Sequence, residues 1–535
     1  MKEMKKIFSK ILVILPVMVL STACNMDFDP TSAYSEKTFW YSAKNAQSGL
    51  TGCYLPLRNG SFYGGATMAF EECVTPNAYQ YSNEAEWNDI ALGNHTSTTA
   101  IFGGRWKDAY IGIGRCNFLL ANIDYNQELT SEAILQMKAQ ARFLRALYYS
   151  VLTTYYYKAP LVTDAPNISM VGRQRTDRDV IIDFIITELD AVAKILPTVY
   201  PNSGDRGRVT AGAALALKAR VLNFEASPLL NPTNDAAKWK KAADAALDVM
   251  HMGIYSLYSD YRGLFTEAAE HSVESIFNVE AIGNPTGLGH SADLIFRQYN
   301  SSAPLKDFVE SYWMKDGKPR PESIYGGSPN YEDIEPRFYS TIVYPGGRFM
   351  GETVKPEGDN ILFKTPMTGF TYRKYTVYDE NPPAEADKNI GANSSRINRM
   401  ILRYADILLM YAEAKNEMGE MTEDIWNRTV KAIRQRAGFT ATAAVTFPGN
   451  DDDAIKGHIR YGRRIEFAAE GTYYDDLRRW KEMENVMPGP IYKHDGTQIV
   501  IRSFNKDRDY WWPVPATQMS IAPTLAPNNP GWGSN

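Results

Sequence analysis

The stretch MKAQARFLRALYYSVLTTYYY, residues 137–157, decides the fold class of this chain. Its apolar side chains recur at alternating steps of four and three residues, which places them on one face of an α-helix. The side chains on that face are Met137, Ala141, Leu144, Tyr148, Val151 and Tyr155. The tyrosines of this helix are therefore predicted to pack in the core or at a helix interface.

Other segments repeat this helical pattern or have an alanine-rich composition typical of helices. They are 179–195, 210–224, 239–250, 401–412, 429–437 and 454–470. Asp179 is the expected N-cap of the first segment, Pro197 follows its end, and Gly419 is the expected stop of the fourth. Small residues alternate with Tyr and Leu in these segments, which indicates closely packed helix pairs like those of repeats of about 34 residues.

Long stretches rich in Gly, Pro, Asn and Tyr separate the helical blocks, at 58–105, 281–400 and 486–535. Loops of this length are either functional or disordered. With 33 Tyr and 10 Trp in 535 residues, these stretches are too aromatic for disorder. The sequence therefore predicts a mostly α scaffold that carries large loop insertions.

The charge of the chain limits its partners. Its 57 Lys and Arg against 62 Asp and Glu give a net charge of −5, spread along the sequence. A nucleic-acid-binding protein needs basic faces to neutralise phosphates, so no nucleic acid is expected.

The N-terminus has the pattern of an export signal. Lysines precede residues 11–20, ILVILPVMVL, which are too few to span a bilayer that needs about 20 residues. Small residues at 21–23 lead to Cys24, as in a bacterial lipobox, although Ser21 stands where an aliphatic residue is usual. This pattern predicts a signal peptide over 1–23 and acylation of Cys24, which would tether the mature protein to a membrane.

The remaining cysteines are Cys53, Cys73 and Cys116. An odd number cannot all pair; Cys53 and Cys73 could close a loop in an exported protein, or all three could be buried free thiols. The six histidines are scattered and no Cys/His cluster is present in the sequence, so no metal site is predicted.

Several sequence motifs follow one another along the chain. They are RWKDAYIGIGRCNFLLANI (105–123), QARFLRALYYSVLTTYYYKAPLVT (140–163), GRVTAGAALALKARVLNF (207–224), RYADILLMYAEAKNEMG (403–419), IRQRAG (433–438), RRIEFAAEGTYYDDLRRW (463–480) and WWPVPATQMSIAPTLAPNNPGW (511–532). In their number and order they resemble the motifs of the SusD/RagB family, the surface glycan-binding lipoproteins of Bacteroidetes nutrient-uptake systems. The resemblance covers nearly the whole chain after Cys24, with two departures at Gly462 and Tyr473, where the family usually has Glu and Arg.

The resemblance implies a mostly α fold in which about four tetratricopeptide-like helix pairs support irregular loops. It implies an N-terminal region over 24–230 and a C-terminal region over 231–535, packed as one unit. It also implies a shallow glycan site on the loops, no cofactor, and a lipid-anchored position on the outer surface of the outer membrane. A SusC-like TonB-dependent transporter is the implied partner.

A glycan site needs flat aromatic rings for the C–H face of a sugar and polar side chains for its hydroxyl groups. Loop 77–94, which the resemblance makes the ligand loop, offers both, with help from 297–300. Trp87 is the expected stacking platform, and some of the other rings could instead pin the loops to the scaffold. The predicted site residues are Asn77, Tyr79, Tyr81, Trp87, Asn88, Asp89, Asn94, Arg297, Tyr299 and Asn300. A second candidate wall at 296–331 adds Trp313, Tyr325 and Tyr331.

Two other functions compete with glycan binding: a surface-anchored glycoside hydrolase and a helical protein–protein scaffold. A hydrolase needs two carboxyl groups flanking a cleft. Glu466 and Glu470 lie one helical turn apart but among several arginines, and ion pairing would make them poor general acids. A scaffold would display its contact residues on helices, whereas this chain places its rings in loops.

Overall fold

The computed structural model describes residues 38–533, apart from 284–285, 359, 361–366, 377–380 and 382–390. The predicted signal peptide over 1–23 and Cys24 lie outside the described residues. Among the helices that are described, none is both long enough and apolar enough to cross a membrane.

Helices dominate the described part of the chain. They are α1 (Ala43–Tyr54), α2 (Thr67–Cys73), α3 (Trp87–Leu92), α4 (Ala100–Asn122), α5 (Ser131–Tyr156), α6 (Arg178–Ala193), α7 (Ala211–Ala226), α8 (Ala236–His251), α9 (Lys306–Glu310), α10 (Pro336–Thr341), α11 (Tyr404–Glu417), α12 (Glu423–Arg428), α13 (Val430–Arg436), α14 (Thr442–Val445), α15 (Asp452–Glu466), α16 (Tyr473–Arg479), α17 (Met483–Val486) and α18 (Ala516–Ile521).

The strands are short and join in antiparallel pairs. They are β1 (Ala78–Tyr79), β2 (Ser275–Val279), β3 (Ala303–Pro304), β4 (Ile342–Val343), β5 (Arg348–Phe349), β6 (Glu352–Thr353), β7 (Thr371–Tyr372), β8 (Arg399–Arg403), β9 (Gly489–Tyr492) and β10 (Gln498–Arg502). The pairs are β1 with β3, β2 with β8, β4 with β7, β5 with β6, and β9 with β10.

The long helices pack one against the next in the order α1, α4, α5, α6, α7, α8, α11 and α15, which makes four successive helix pairs. This confirms the predicted helix-pair scaffold. Small residues permit the close approach: a Cβ on Gly112 of α4 would lie 2.3 Å from the ring of Tyr148 on α5, and one on Gly212 of α7 would lie 2.0 Å from the hydroxyl of Tyr255.

Three predicted helix boundaries need correction. The N-cap of α6 is Asp177, not Asp179. Ile401 does not belong to a helical face, because 399–403 forms β8 against β2 and α11 begins only at Tyr404. The helix predicted over 454–470 ends at Glu466, since the backbone turns into left-handed conformation at Ala469 (φ 62°). Gly419, at φ 67°, follows the end of α11 as predicted.

The three described cysteines are buried and free, which confirms that alternative. The Cys73 thiol donates to the Ser302 hydroxyl at 3.1 Å. The side chain of Cys116 interacts instead with that of Cys53, so Cys53 and Cys73 are not partners.

Candidate functional site

The two predicted loops meet on one surface. Strand β1 pairs with β3, which places Tyr79 opposite Ala303. Beyond β1, the Tyr81 hydroxyl donates to the backbone carbonyl of Tyr299 at 2.8 Å, and the hydroxyls of Ser82 and Ser301 hydrogen-bond to each other. Segments far apart in sequence are therefore fixed side by side.

The most exposed rings of the predicted set are Tyr81 and Tyr299, called here the tyrosine pair. Tyr81 and Tyr299 are 45% and 46% exposed, although the Tyr81 hydroxyl is hydrogen-bonded to the Tyr299 carbonyl. Tyr79, at the end of β1, is half-buried beside them. Large aromatic rings that remain accessible on ordered loops are a common feature of binding surfaces.

Strained backbone lies next to both members of the tyrosine pair. Asn83, Ala85 and Glu86 follow Tyr81 with φ of 51°, 52° and 60°, and Asn300 follows Tyr299 with φ of 47°. A non-glycine residue in this region costs on the order of 1–3 kcal/mol, and such residues concentrate where a ligand site is held in place. Here they bend the two loops so that each tyrosine stands at the surface.

Trp87 is not a stacking platform, contrary to prediction. Its side chain is fully buried at the start of α3. Its ring packs edge-to-face against Trp512 with centroids 5.9 Å apart, and the Arg105 guanidinium lies 5.4 Å from its centroid. A ring enclosed on all sides offers no face to a sugar, so Trp87 fastens the loop to the core.

Four predicted polar ligand contacts are also buried. The Asn77 amide donates to Glu72 at 2.7 Å and accepts from Arg464 at 2.7 Å. The Asn300 amide donates to the Arg297 carbonyl at 3.2 Å. Asn88, Arg297 and Asn300 are each less than 9% exposed. The side chains of all four therefore lie inside the protein and do not face solvent.

Asp89 and Asn94 keep surface positions at the two ends of α3. Asn94 is exposed just past Gly93, and its backbone N–H donates to the Asp89 carbonyl at 2.9 Å. The half-buried Asp89 carboxylate accepts from the Asn83 amide at 3.1 Å. Glu84, an exposed carboxylate on the same loop, is not among the predicted site residues. The only signal for it was its place in the turn that follows Tyr81.

The second predicted wall is mainly structural. Trp313 stacks flat on Tyr461 at 4.0 Å, and Tyr331 lies parallel to Phe338 at 6.2 Å. The Lys315 ammonium group lies over the Tyr325 ring, 4.2 Å from the ring centroid. This segment borders a cavity of about 680 Å³, whose lining includes Lys306, Glu310, Arg320, Tyr331, Phe370 and His494.

Glu466 and Glu470 are ion-paired, as predicted, but their partners are arginines from distant segments and not the arginines expected from the neighbouring sequence at 463–464 and 478–479. Glu466 accepts from Arg337 at 3.2 Å and from Arg403 at 2.9 Å, and Glu470 accepts from Arg403 at 2.8 Å. Burial alone would raise the pKa of Glu466, but the guanidinium groups of Arg436, Arg403 and Arg337 outweigh it and lower the pKa to about 2. A carboxyl group that stays ionised in this way cannot serve as a general acid near neutral pH.

Metal-ligating side chains approach one another at one place in the described chain. Ligand atoms of Glu357, His494 and Asp495 lie within 4.8 Å of one another. Glu357 and Asp495 are exposed and His494 is half-buried. The three residues join the 352–358 loop to the β9–β10 turn, away from the tyrosine pair in sequence.

Two family models match the chain. The model of the SusD family matches residues 274–532, and the model described as starch-binding and associating with the outer membrane matches residues 32–222. The SusD-like protein P25 of Formosa agariphila is 25% identical over 94% of each chain.

Solved structures agree with these matches. A SusD-like carbohydrate-binding protein from Bacteroides fragilis is 28% identical, with a TM-score of 0.79 over 91% of this chain and 100% of the other. Surface glycan-binding protein A from Bacteroides fluxus shares the fold at 19% identity, with a TM-score of 0.69 over 92% of this chain and 100% of the other. Together with the helix-pair scaffold, these matches show that the chain belongs to the SusD family.

Proposed function

We propose that this protein binds a glycan at the tyrosine pair and delivers it to a SusC-like TonB-dependent transporter in the outer membrane, without cleaving it. The observation that carries the proposal is the hydrogen bond from the Tyr81 hydroxyl to the Tyr299 carbonyl, which brings together two exposed tyrosines that lie 218 residues apart in sequence. Membership of a family whose solved relatives include a carbohydrate-binding protein supports it.

The physical basis is burial of apolar surface between ring and sugar. The C–H face of a pyranose ring covers a tyrosine face and removes apolar area from water, at about 25 cal/mol per Å². The hydrogen bond between the loops and the left-handed residues fix the rings before the ligand arrives, which reduces the entropy lost on binding. Asp89 and Asn94 stand on the same loop as partners for hydroxyl groups.

Lipid attachment through Cys24 would keep the bound glycan at the membrane. Family association with the outer membrane supports this location. Since a polymer held on a shallow surface still has to cross the membrane, a transporter is the partner that the proposal requires. Affinity purification from detergent-solubilised membranes is expected to recover a TonB-dependent transporter with this protein.

Affinity gel electrophoresis with a panel of polysaccharides tests the binding site. Tyr81→Ala and Tyr299→Ala are expected to lose the retardation that the wild-type protein shows with its ligand. Product analysis of the same mixtures is expected to show no released oligosaccharide.

Tyr41→Ala is the matched control. Tyr41 is 37% exposed, but it precedes α1, and its neighbour Trp40 packs on Phe118 near the far end of α4. The loop that carries Tyr81 joins the other end of α4, where Glu86 accepts from the Ala100 N–H. Retardation of both site variants equal to wild type, or equal loss in Tyr41→Ala, would contradict the proposal.

A further inference from the structure

The two loops that carry the tyrosine pair have acidic side chains at the surface and no exposed Lys or Arg. Residues 74–104 include Glu84, Glu86 and Asp89 and contain no Lys or Arg. Residues 291–305 contain a single basic side chain, Arg297, and a single acidic one, Asp293. Both are buried, at 1% and 2% exposure.

The three carboxylates of the first loop are not neutralised by cations. Glu84 is exposed, Glu86 accepts from the backbone N–H of Ala100 at 2.7 Å, and Asp89 accepts from the Asn83 amide. Within the described residues, none of the three forms an ion pair with a lysine or arginine. Their negative charge therefore acts on whatever approaches the tyrosine pair.

The basic side chain beneath this surface, Arg502, is used in hydrogen bonds within the protein. Arg502 is 2% exposed and donates to the carbonyl oxygens of Thr75, Cys73 and Ala78, all within 3.0 Å. These contacts hold the backbone just before Tyr79. The guanidinium group of Arg502 cannot turn outward to meet a ligand without breaking them.

Two further basic side chains, Lys306 and Arg508, are also paired with carboxylates. Lys306 lies 3.7 Å from the Glu310 carboxylate. Arg508 lies 2.5 Å from the Asp509 carboxylate, and its guanidinium covers the ring of Trp532 at 4.8 Å. Neither supplies an unpaired positive charge at the tyrosine pair.

We infer that the glycan held by the tyrosine pair is uncharged, and is neither a polyuronate nor a sulfated polysaccharide; this rests on the proposed function. Like charges repel over the Debye length of about 8–10 Å in physiological salt, and a repeating anion would meet the loop carboxylates along its length. An uncharged sugar meets no such repulsion. Its hydroxyl groups can instead donate to carboxylates, which are strong acceptors.

Paired polysaccharides test the inference. A neutral polysaccharide and its carboxymethylated derivative are compared by affinity gel, using the wild-type protein, Tyr81→Ala, Tyr299→Ala and Glu84→Lys. The neutral polymer is expected to retard the wild-type protein strongly and both tyrosine variants weakly. Its affinity is expected to change less than about twofold between about 20 mM and about 500 mM salt, since no ion pairs are screened.

The carboxymethylated polymer is expected to bind at least about tenfold more weakly at low salt. In Glu84→Lys, the ratio of the affinity for the neutral polymer to the affinity for the carboxymethylated polymer is expected to be at least about threefold smaller than in the wild-type protein. The substitution replaces a negative charge that repels the anionic polymer with a positive charge that attracts it. Tyrosine-dependent retardation that is stronger on natural polyuronates or sulfated polysaccharides than on any neutral polymer would overturn the inference and leave the binding site standing. Absence of tyrosine-dependent retardation with every polymer would overturn both.

Discussion

At the scale of single residues, Trp87 and Tyr81 share a loop and have opposite environments. Trp87 is enclosed by Trp512 and Arg105, whereas Tyr81 is 45% exposed. The larger ring contributes to stability and the smaller one is available for binding. Replacing each with alanine therefore separates the two roles.

Trp87→Ala is expected to lower the free energy of unfolding by about 3–5 kcal/mol, because it leaves a cavity where an indole was packed. Chemical denaturation followed by circular dichroism measures this. Tyr81→Ala on the same loop is the control, with an expected change below about 1 kcal/mol. A Trp87→Ala protein with wild-type stability and no glycan binding would show that the indole contacts ligand after all.

The sequence could indicate which loops form the candidate site but not which side chains reach solvent. Asn77 and Arg297 are residue types that bind sugars well, yet both are buried. Asn77 hydrogen-bonds to Glu72 and Arg464, and the Arg297 guanidinium lies 3.6 Å from the Asp293 carboxylate. Exposure depends on contacts with distant residues, such as that between Trp87 and Trp512. The spacing of residues within one loop cannot predict those contacts.

At the scale of elements, helix α15 ends in the centre of a buried charge network. Glu466, its last residue, accepts from Arg337, Arg403 and Arg436, and none of these side chains is more than 4% exposed. Removing the charge of Glu466 takes one carboxylate from three buried guanidinium groups, which would then have to share the charges of Glu335, Glu274 and Glu470.

Glu466→Gln is accordingly expected to cost about 3–5 kcal/mol of stability. Glu482→Gln is the matched control, since Glu482 pairs at 2.8 Å with Arg460 of the same helix near the surface. Exposed pairs contribute about 0–1 kcal/mol. Equal denaturation midpoints for the two variants would refute the structural role of the network.

Periodicity located the long helices well, because an amphipathic face is a local property of the sequence. It failed at Ile401, whose segment pairs as β8 with β2. That pairing joins residues more than a hundred positions apart, so it leaves no local signal. The left-handed turn at Ala469, which follows the end of α15 at Glu466, was missed for a similar reason: alanine itself favours helix continuation.

At the scale of the whole molecule, buried carboxylates make stability depend on pH. Burial alone would raise the pKa of Glu413, but its contacts with Arg479 dominate and lower the pKa to about 2, and Glu466 behaves alike. Asp406, between Arg220 and Arg463, also has a pKa well below its usual value. A carboxyl group whose pKa is lowered in the folded state stabilises the fold at any pH above its unfolded-state pKa of about 4.3. This contribution to the free energy of unfolding is lost as pH falls toward 2.

Other carboxyl groups act in the opposite direction, Glu72 and Asp475 among them. Burial raises the pKa of Glu72 to about 7 and that of Asp475 to about 6. Their contribution to the free energy of unfolding is fully present at pH values below their unfolded-state pKa, and it is lost as pH rises through 6 to 7. His290 and His458 oppose this loss, because burial lowers their pKa values to about 4 and their contribution grows as pH rises toward 6.5. The free energy of unfolding is therefore expected to change little between about pH 5 and about pH 8 and to fall steeply toward pH 2. Denaturation across this range checks the shape; highest stability at pH 2–3 would contradict it.

Membrane attachment is predicted to depend on Cys24. Cys24→Ala is expected to release the protein from the membrane fraction or to leave an uncut precursor, because acylation at that residue would supply the anchor. Fractionation and mass determination of the mature chain measure this. Cys73→Ala, which removes a buried free thiol, is the control. Unchanged membrane partition of a Cys24→Ala protein that is cut to the mature length would exclude the anchor.

The central claim is that the tyrosine pair holds the glycan, and calorimetric titration of an oligosaccharide from the bound polymer tests it most directly. Losing about 40–60 Å² of buried contact per ring should weaken binding by about 1–1.5 kcal/mol, or about five- to twelvefold, in each of Tyr81→Ala and Tyr299→Ala. The two variants should keep the wild-type melting temperature within about 2 °C. Wild-type affinity in both folded variants would contradict the account and place the site elsewhere on the molecule.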